Sequence, residues 1–316
     1  MKLSVVRFFN AYGFRERLML LKYHSFFVAG RKNPMLISTI DDRRHTQGLT
    51  DRLKGIVTVY ALSKALNVPF RCVFTHPFPL TDYLLPNEYD WLPKANELSD
   101  SMHDVRYVIL RKQPTLKRLM RLLPPKKQLR IYANYDYLEE INRTYHTHFR
   151  WGELFHELFH PTDELRQQIA NHLNIIPDEF IACAFRFQSM LGDFKEINSH
   201  ILPEDKQQKL MQKNKEALIR ISLSSGMPVL VTSDSMKFID FLKDVNNIYC
   251  FPGKVVHIDC AYGEQKEVYM KSFIDFFMLS SARKIYSVGT AQMYRTNFPA
   301  YAAKLRDIPF ERILIE

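Results

Sequence analysis

From residue 179 onward the chain alternates short apolar runs with helix-length amphipathic stretches, an alternation that few folds can accommodate. Strands are predicted at 179–184, 228–232, 247–251, 255–258 and 284–288. Helices are predicted at 204–223, 236–244, 265–281 and 292–305, with a closing strand at 312–315. Such alternation of strands with helices argues for a parallel sheet covered on both faces. The first half opens the same way. A strand at 35–40 leads to a helix at 51–66 carrying Leu53, Ile56, Val57, Tyr60 and Ala61 at helical spacing. Thr50 is placed to cap this helix and Asn67 to end it, and a strand at 70–74 follows. This is a β-loop-α-β unit. Residues 77–150 are polar and basic with weak periodicity. Residues 153–160 read as a helix broken by Pro161, after which Thr162 caps a helix at 163–173. A chain of 316 residues suits two domains, and the boundary is placed near Pro161, giving 1–160 and 161–316.

Hydrophobic residues make up 46% and aromatics 13%, enough for substantial cores. Cys72, Cys183, Cys250 and Cys260 form no C-x-x-C pair. The first three lie in or beside strand runs and read as buried reduced thiols, pointing to a reducing compartment. No apolar run is long enough to span a membrane. The first 34 residues mix Lys2, Arg7, Arg15, Arg17, Lys22, Arg31 and Lys32 with aromatics and make a poor signal peptide. The expectation is a cytoplasmic protein, with Phe8, Phe9, Phe14, Leu18 and Leu20 leaving room for a helix lying on the inner face of a membrane. The net charge of +10 is concentrated in Arg106, Arg111, Lys112, Lys117, Arg118, Arg121, Lys126, Lys127 and Arg130, interleaved with Leu116, Leu119, Met120, Leu122 and Leu123. This reads either as a solvated helix face or as attraction to anionic lipid or substrate. With no nucleic-acid motif beside it, no nucleic-acid partner is expected.

Several signatures are absent. No G-x-G pair occurs, so neither a dinucleotide fingerprint nor a P-loop is supported, and G-x-S-x-G is missing. There is no D-x-D triplet to hold a metal on a diphosphate, so arginine and backbone amides would have to neutralise one. Arg186 follows the apolar run at 179–184 and offers a permanently charged fork that matches phosphate oxygens. Carboxyl ends of strands in open α/β sheets are where ligands bind. Two further strand ends carry small polar groups: Ser233-Asp234-Ser235, and Gly289-Thr290-Ala291-Gln292 ahead of Ala300, Ala302 and Ala303. Three such ends in one crevice would make a nucleotide site. Taken singly, Arg186 could make a structural ion pair with nearby Asp193, and Ser233 or Asp234 could be a helix cap. In the first half, Gly48-Leu49-Thr50-Asp51-Arg52-Leu53-Lys54-Gly55 runs from a loop into a helix. Gly48 permits a tight turn there, and Asp51 or Arg52 could reach a ligand; a capped helix with solvated charges is the plain alternative. His156-Glu157-Leu158-Phe159-His160 matches H-E-x-x-H, in which both histidines would share a helix face and ligate zinc. Pro161 and the packing stripe Leu154, Phe155, Leu158 and Phe159 argue instead for a structural helix.

In this order the motifs resemble the GDP-fucose-dependent fucosyltransferases of the protein O-fucosyltransferase, core α1,6-fucosyltransferase and nodulation-factor type. Gly48 to Gly55 matches their opening G-x-G-N/D-R-L-x-G loop. Phe185-Arg186-Phe187 with Leu191-Gly192-Asp193-Phe194 matches the central arginine motif, and Val231-Thr232-Ser233-Asp234-Ser235 matches a V-x-S/T-D-S strand end. Ser287-Val288-Gly289-Thr290-Ala291 with Ala302-Ala303 matches the last motif. The chain differs at Ala184, where many relatives carry histidine, at Thr50, which replaces glycine, and at Gln292 and Met293, which replace an aromatic. The resemblance implies an α/β fold of GT-B type, two Rossmann-like domains with parallel sheets facing a central cleft. An acceptor-side domain at 1–160 would precede a nucleotide-sugar domain at 161–316. It implies metal-independent, inverting transfer of L-fucose from GDP-fucose to a glycan or lipid-linked glycan, with no cofactor. Arg186 would stabilise the departing β-phosphate. Asp51, with Asp193 next, would be the general base. Gly48, Arg52, Asp193, Ser233, Asp234, Ser235, Gly289, Thr290, Ala291 and Gln292 would line the substrates. The alternatives are a zinc-dependent hydrolase built on His156 and His160, and a non-catalytic protein binding a GDP-sugar or glycan.

Overall fold

A computed structural model of the protein describes residues 13–27, 32–44, 48–110, 115–194, 200–251, 253–258, 263 and 265–316. Arg111, Lys112 and Cys260, and the N-terminal Lys2, Arg7, Phe8, Phe9 and Arg31, lie outside them. The chain divides into two compact units, one of residues 1–80 and 86–159, the other of residues 81–85 and 160–316.

The first unit is built on four parallel strands, β1 (Met35–Ile40), β2 (Phe70–Phe74), β4 (Val105–Ile109) and β5 (Gln128–Tyr132), in the order β2-β1-β5-β4. The short β3 (Leu84–Pro86) pairs with β6 (Phe159–Pro161) in a separate ribbon. Helix α1 (Gly13–Tyr23) precedes the sheet, and α2 (Leu49–Leu66) connects β1 to β2. Every residue of β1 is buried, Ser38 and Thr39 included, as in a strand covered on both faces. Helix α2 is buried almost continuously from Leu49 to Ser63, because apolar residues surround it instead of forming one stripe. It ends at Asn67 in the left-handed conformation (φ 51°, ψ 48°), whose amide closes on the carbonyls of Ser63 and Lys64. At its start the structure differs from expectation. The cap is Gly48, with no side-chain bond, and Thr50 lies inside the first turn.

Strands β4 and β5 fall in the stretch whose sequence has weak periodicity. All five residues of β5 are buried, Gln128 and Arg130 among them, so its polar positions face the protein instead of water. The Gln128 amide accepts from Ser99 N (2.8 Å) and donates to Glu97 O (2.8 Å). That pairing is what makes a buried amide tolerable. The basic segment is consequently not one helix face: Arg106 belongs to β4, Arg130 to β5, and only α3 (Thr115–Met120) is helical between them. Leu116 and Leu119 of α3 are buried, while Lys117, Arg121, Lys126 and Lys127 are exposed. Helices α4 (Leu138–Tyr145) and α5 (Trp151–Leu158) complete the unit.

The second unit holds α6 (Asp163–Leu173), β7 (Ile181–Phe185), α7 (Glu204–Ser225), β8 (Val229–Ser233), α8 (Met236–Phe241), β9 (Ile248–Cys250), α9 (Lys266–Leu279), β10 (Ile285–Thr290), α10 (Phe298–Arg306) and β11 (Phe310–Ile315). Its five strands are parallel in the order β11-β10-β7-β8-β9. The chain therefore leaves β7 in one direction along the sheet and returns on its other side at β10. That reversal is the switch point at which open α/β sheets leave a crevice. Two expected elements are missing or displaced. Residues 255–258 form no strand; Ile258 is buried but finds no ladder partner. Helix α10 starts at Phe298, not 292, because Pro299 belongs in a first turn, and an earlier start would place it in the interior. Cys72, Cys183 and Cys250 lie in β2, β7 and β9 as free thiols, and burial raises all three, Cys250 to about 12. No helix among the described residues is long and apolar enough to cross a membrane.

Gly55 is where α2 passes closest to the sheet. A Cβ there would lie 1.9 Å from the Ala133 carbonyl oxygen, a backbone atom that cannot swing aside. Gly55→Ala is expected to cost about 2–3 kcal/mol. Gly48→Ala, at an extended position (φ −71°) with open space around it, should cost under about 1 kcal/mol. Urea denaturation of the two variants checks the contrast.

Candidate functional site

Three site residues stand side by side at the carboxyl edge of the second sheet. In register, Phe185 of β7 lies beside Ser233 of β8 and Val288 of β10. The residues that follow them, Arg186, Asp234 and Gly289, therefore occupy one level across the switch point. Arg186 is partly exposed, with a side-chain accessibility of 19%. Its guanidinium reaches Asp234 Oδ2 (3.2 Å) and lies over the Phe194 ring (4.3 Å).

Asp234 is buried and its oxygens are occupied. Oδ1 accepts from Phe187 N (2.8 Å) and Oδ2 from Gln188 N (2.7 Å). Phe187 is right-handed helical and Gln188 left-handed (φ 54°). Successive amides in that conformational pair form an anion-binding nest, here filled by the protein's own carboxylate. The sequence led us to expect Asp234 to meet the nucleotide. In the structure its oxygens meet the Arg186 guanidinium and these two amides. Asp193 likewise accepts from Ser235 Oγ (2.9 Å) and Lys237 N (2.8 Å) and does not pair with Arg186. Ser235 Oγ also accepts from Phe238 N (3.2 Å), capping α8, and Ser233 Oγ accepts from Ser235 N (3.1 Å).

At the neighbouring strand end, Gly289 packs so that a Cβ would meet Met293 Sδ at 3.3 Å. The Thr290 hydroxyl is buried without a hydrogen-bond partner. Ala291 and Gln292 are exposed in a turn, so their amides are not at a helix start. Lys271 and Asp275, an i,i+4 pair on α9, are both nearly buried and ion-paired to each other. A Cβ on Gly253, in the segment after β9, would meet the Lys271 side chain at 2.9 Å. The sequence reading passed over this pair, although two opposite charges inside the apolar run YMKSFIDFFML were a visible signal.

In the first unit, Asp51 lies in the first turn of α2, ion-paired to Lys54 and 29% exposed. Arg52 is almost wholly buried, donating to His76 O (2.7 Å) beside the Phe74 ring. This bond ties α2 to the segment after β2. Gly48 is extended (φ −71°, ψ 175°), a conformation open to residues other than glycine. The H-E-x-x-H residues do not share a helix face: α5 stops at Leu158, and His160 is in β6. Glu157 accepts from Tyr60 Oη (2.8 Å) and Lys64 Nζ, and His160 Nδ1 lies 3.0 Å from Pro161 O. Among the described residues no cluster of three or more His, Cys, Asp or Glu could hold a metal ion.

No protein-family model matches the chain, and no curated protein matches its sequence. Solved structures do match its fold. A point mutant of Arabidopsis thaliana FUT1 in complex with GDP aligns with a TM-score of 0.58 at 12% identity, over 96% of this chain and 74% of that one. POFUT1 in complex with GDP aligns with a TM-score of 0.51 at 10% identity, over 91% of this chain and 99% of that one. NodZ fucosyltransferase from Bradyrhizobium aligns at 0.49 and 12% identity, over 86% and 93%. The first two place the chain in a structural class: an α/β protein with parallel sheets of four and five strands, consistent with the GT-B type. Its fold is that of the FUT1 and POFUT1 fucosyltransferases.

Burial raises the Asp234 carboxyl from 3.8 to about 6, opposed by Arg186 and the two amides. On acidification the folded protein therefore takes up this proton before the unfolded chain does. The contribution favours folding below the unfolded value and is lost as pH rises through about 6. Asp234→Asn should abolish that slope. Urea denaturation from about pH 7 to about pH 4.5 is expected to show wild type gaining stability relative to the variant.

Proposed function

We propose that the protein is a glycosyltransferase that takes a sugar, L-fucose in the favoured reading, from a GDP-linked donor and passes it to a glycan hydroxyl. The observation that carries the reading is Arg186, anchored by Asp234 at the switch point of the second sheet yet still partly open to solvent. The shared fold of two GDP-bound structures supports the nucleotide.

In this reading the second unit binds the donor. Attack by the acceptor oxygen on the anomeric carbon breaks the bond to the β-phosphate, whose oxygens gain negative charge as GDP leaves. A guanidinium fixed beforehand needs no reorganisation to meet that charge, which is where electrostatic catalysis gains most. Asp234 and the Phe194 ring supply the fixing; the arginine charge and backbone amides act without a metal. The Thr290 hydroxyl, buried and unsatisfied, would find its partner in the nucleotide. Gly289 and the exposed turn at Ala291 and Gln292 would let backbone amides approach it. Ser233, Ser235 and Asp193 hold that edge in shape. For the general base the resemblance favours Asp51, here ion-paired to Lys54, with Asp193, bonded to Ser235 and the Lys237 amide, next.

Arg186→Ala should lower turnover about 10²–10³-fold; circular dichroism should show the fold retained, with a lowered melting temperature because the buried Asp234 loses its charge partner. Arg186→Lys should recover only part, since an ammonium lacks the fork. His160→Ala should leave turnover near wild type. A thermal-shift series with GDP-fucose, GDP-mannose, UDP-glucose and GDP tests the donor, a selective rise identifying it. Release or transfer of fucose separates an enzyme from a protein that only binds; full activity in Arg186→Ala would refute the assignment.

A further inference from the structure

Helix α1 (Gly13–Tyr23) has two apolar faces, one turned to the sheet and one exposed. The inner face presents Met19 and Leu20 to Val105, Tyr107 and Ile109 of β4 and to Tyr132. Glu16, the single carboxylate of the helix, also turns inward: it is 5% exposed and accepts from Ile109 N. The outer face carries Phe14, Leu18 and Leu21, spaced i, i+4, i+7, and they are 45%, 48% and 52% exposed. At 3.6 residues per turn, Arg17 borders this stripe on one side and Arg15 and Lys22 on the other. All three bases are exposed.

The segment beyond the helix continues the apolar surface on a pinned backbone. His24 Nε2 lies 2.9 Å from Tyr107 Oη, Ser25 N donates to Asp100 O (2.8 Å), and Met102 N donates to Ser25 O (3.0 Å). Immediately after these ties, Phe26 and Phe27 stand 65% and 83% exposed. Five large apolar side chains held outward, with exposed Arg15, Arg17 and Lys22 beside the three on the helix and the exposed Asp100 beside Ser25, is not the surface of a protein that meets nothing but water.

We propose that this outer face of α1, with Phe26 and Phe27, docks on an anionic lipid surface, the apolar side chains entering the acyl boundary and Arg15, Arg17 and Lys22 meeting headgroup phosphates. An apolar stripe flanked by bases, with the helix's lone acid turned away, is the arrangement an interfacial helix needs. Charge decides against a second copy of the chain as the occupant. A two-fold pairing of this face would set its arginines and lysine against their own images.

Co-sedimentation of the full chain with vesicles of phosphatidylcholine alone, or with about 30% phosphatidylglycerol added, tests the proposal. Binding is expected to the anionic vesicles, weakening about tenfold or more at raised salt or on removing anionic lipid. Leu18→Ser/Leu21→Ser and Arg15→Gln/Arg17→Gln should each reduce it about tenfold. Both pairs lie on the solvent face, so melting temperature and circular dichroism should match wild type; if one fails to fold, the other still decides. Equal affinity for neutral vesicles, no binding by wild type, or wild-type binding by a folded double variant would overturn the proposal. So would a dimer in size-exclusion chromatography that Leu18→Ser/Leu21→Ser dissolves without any effect on vesicles.

Discussion

A carboxylate held inside the second unit organises its functional edge. Asp234 follows β8 and reaches back under the end of β7, where the Phe187 and Gln188 amides and the Arg186 guanidinium converge on it. Burying a carboxylate is expensive unless charge and hydrogen bonds compensate it. The chain meets that requirement by taking Gln188 into the left-handed region, which points two consecutive amides at one anion. The arginine is fixed as part of the same arrangement. A side chain as long as arginine, left to itself, would have to be ordered at the moment a ligand binds. Here Asp234 and the ring of Phe194 hold it in advance.

The remaining polar groups at this edge repeat the logic. Ser235 caps α8 and donates to Asp193; Asp193 also receives the Lys237 amide; Ser233 accepts from Ser235 N. These residues shape the strand ends by satisfying one another. Thr290 keeps a buried hydroxyl with no hydrogen-bond partner beside Gly289, as does the Asn214 amide oxygen near Met293.

The first unit shows the same economy applied to stability. Gly55 lets α2 press against the Ala133 carbonyl, Arg52 spends its charge on the His76 carbonyl, and Gln128 is bonded on both sides of its amide. Residue types that suggest ligand binding in isolation serve here to join elements of the fold. Helix α1 is the counterexample: its acid is buried, while Phe14, Leu18 and Leu21 are exposed.

The sequence by itself determined the elements whose pattern is local. Apolar runs became β1, β2, β7, β8 and β10, Asn67 ended α2, and Thr162 capped α6 with its hydroxyl bonded to Leu165 N. Parallel alternation implied the class of fold, and the strand ends bearing Arg186, Asp234 and Gly289 were legible because each sits at a junction. Pro299 would have corrected the start of α10. Tertiary structure alone decided β4 and β5, whose buried Gln128 and Arg130 read as surface until Glu97 and Ser99 are seen beside them. It also decided what each candidate does. Whether an aspartate meets a ligand or an arginine, and whether an arginine faces solvent or a carbonyl, depends on partners distant in the chain. Side-chain identity fixes the charge a group carries; only packing fixes where that charge is spent.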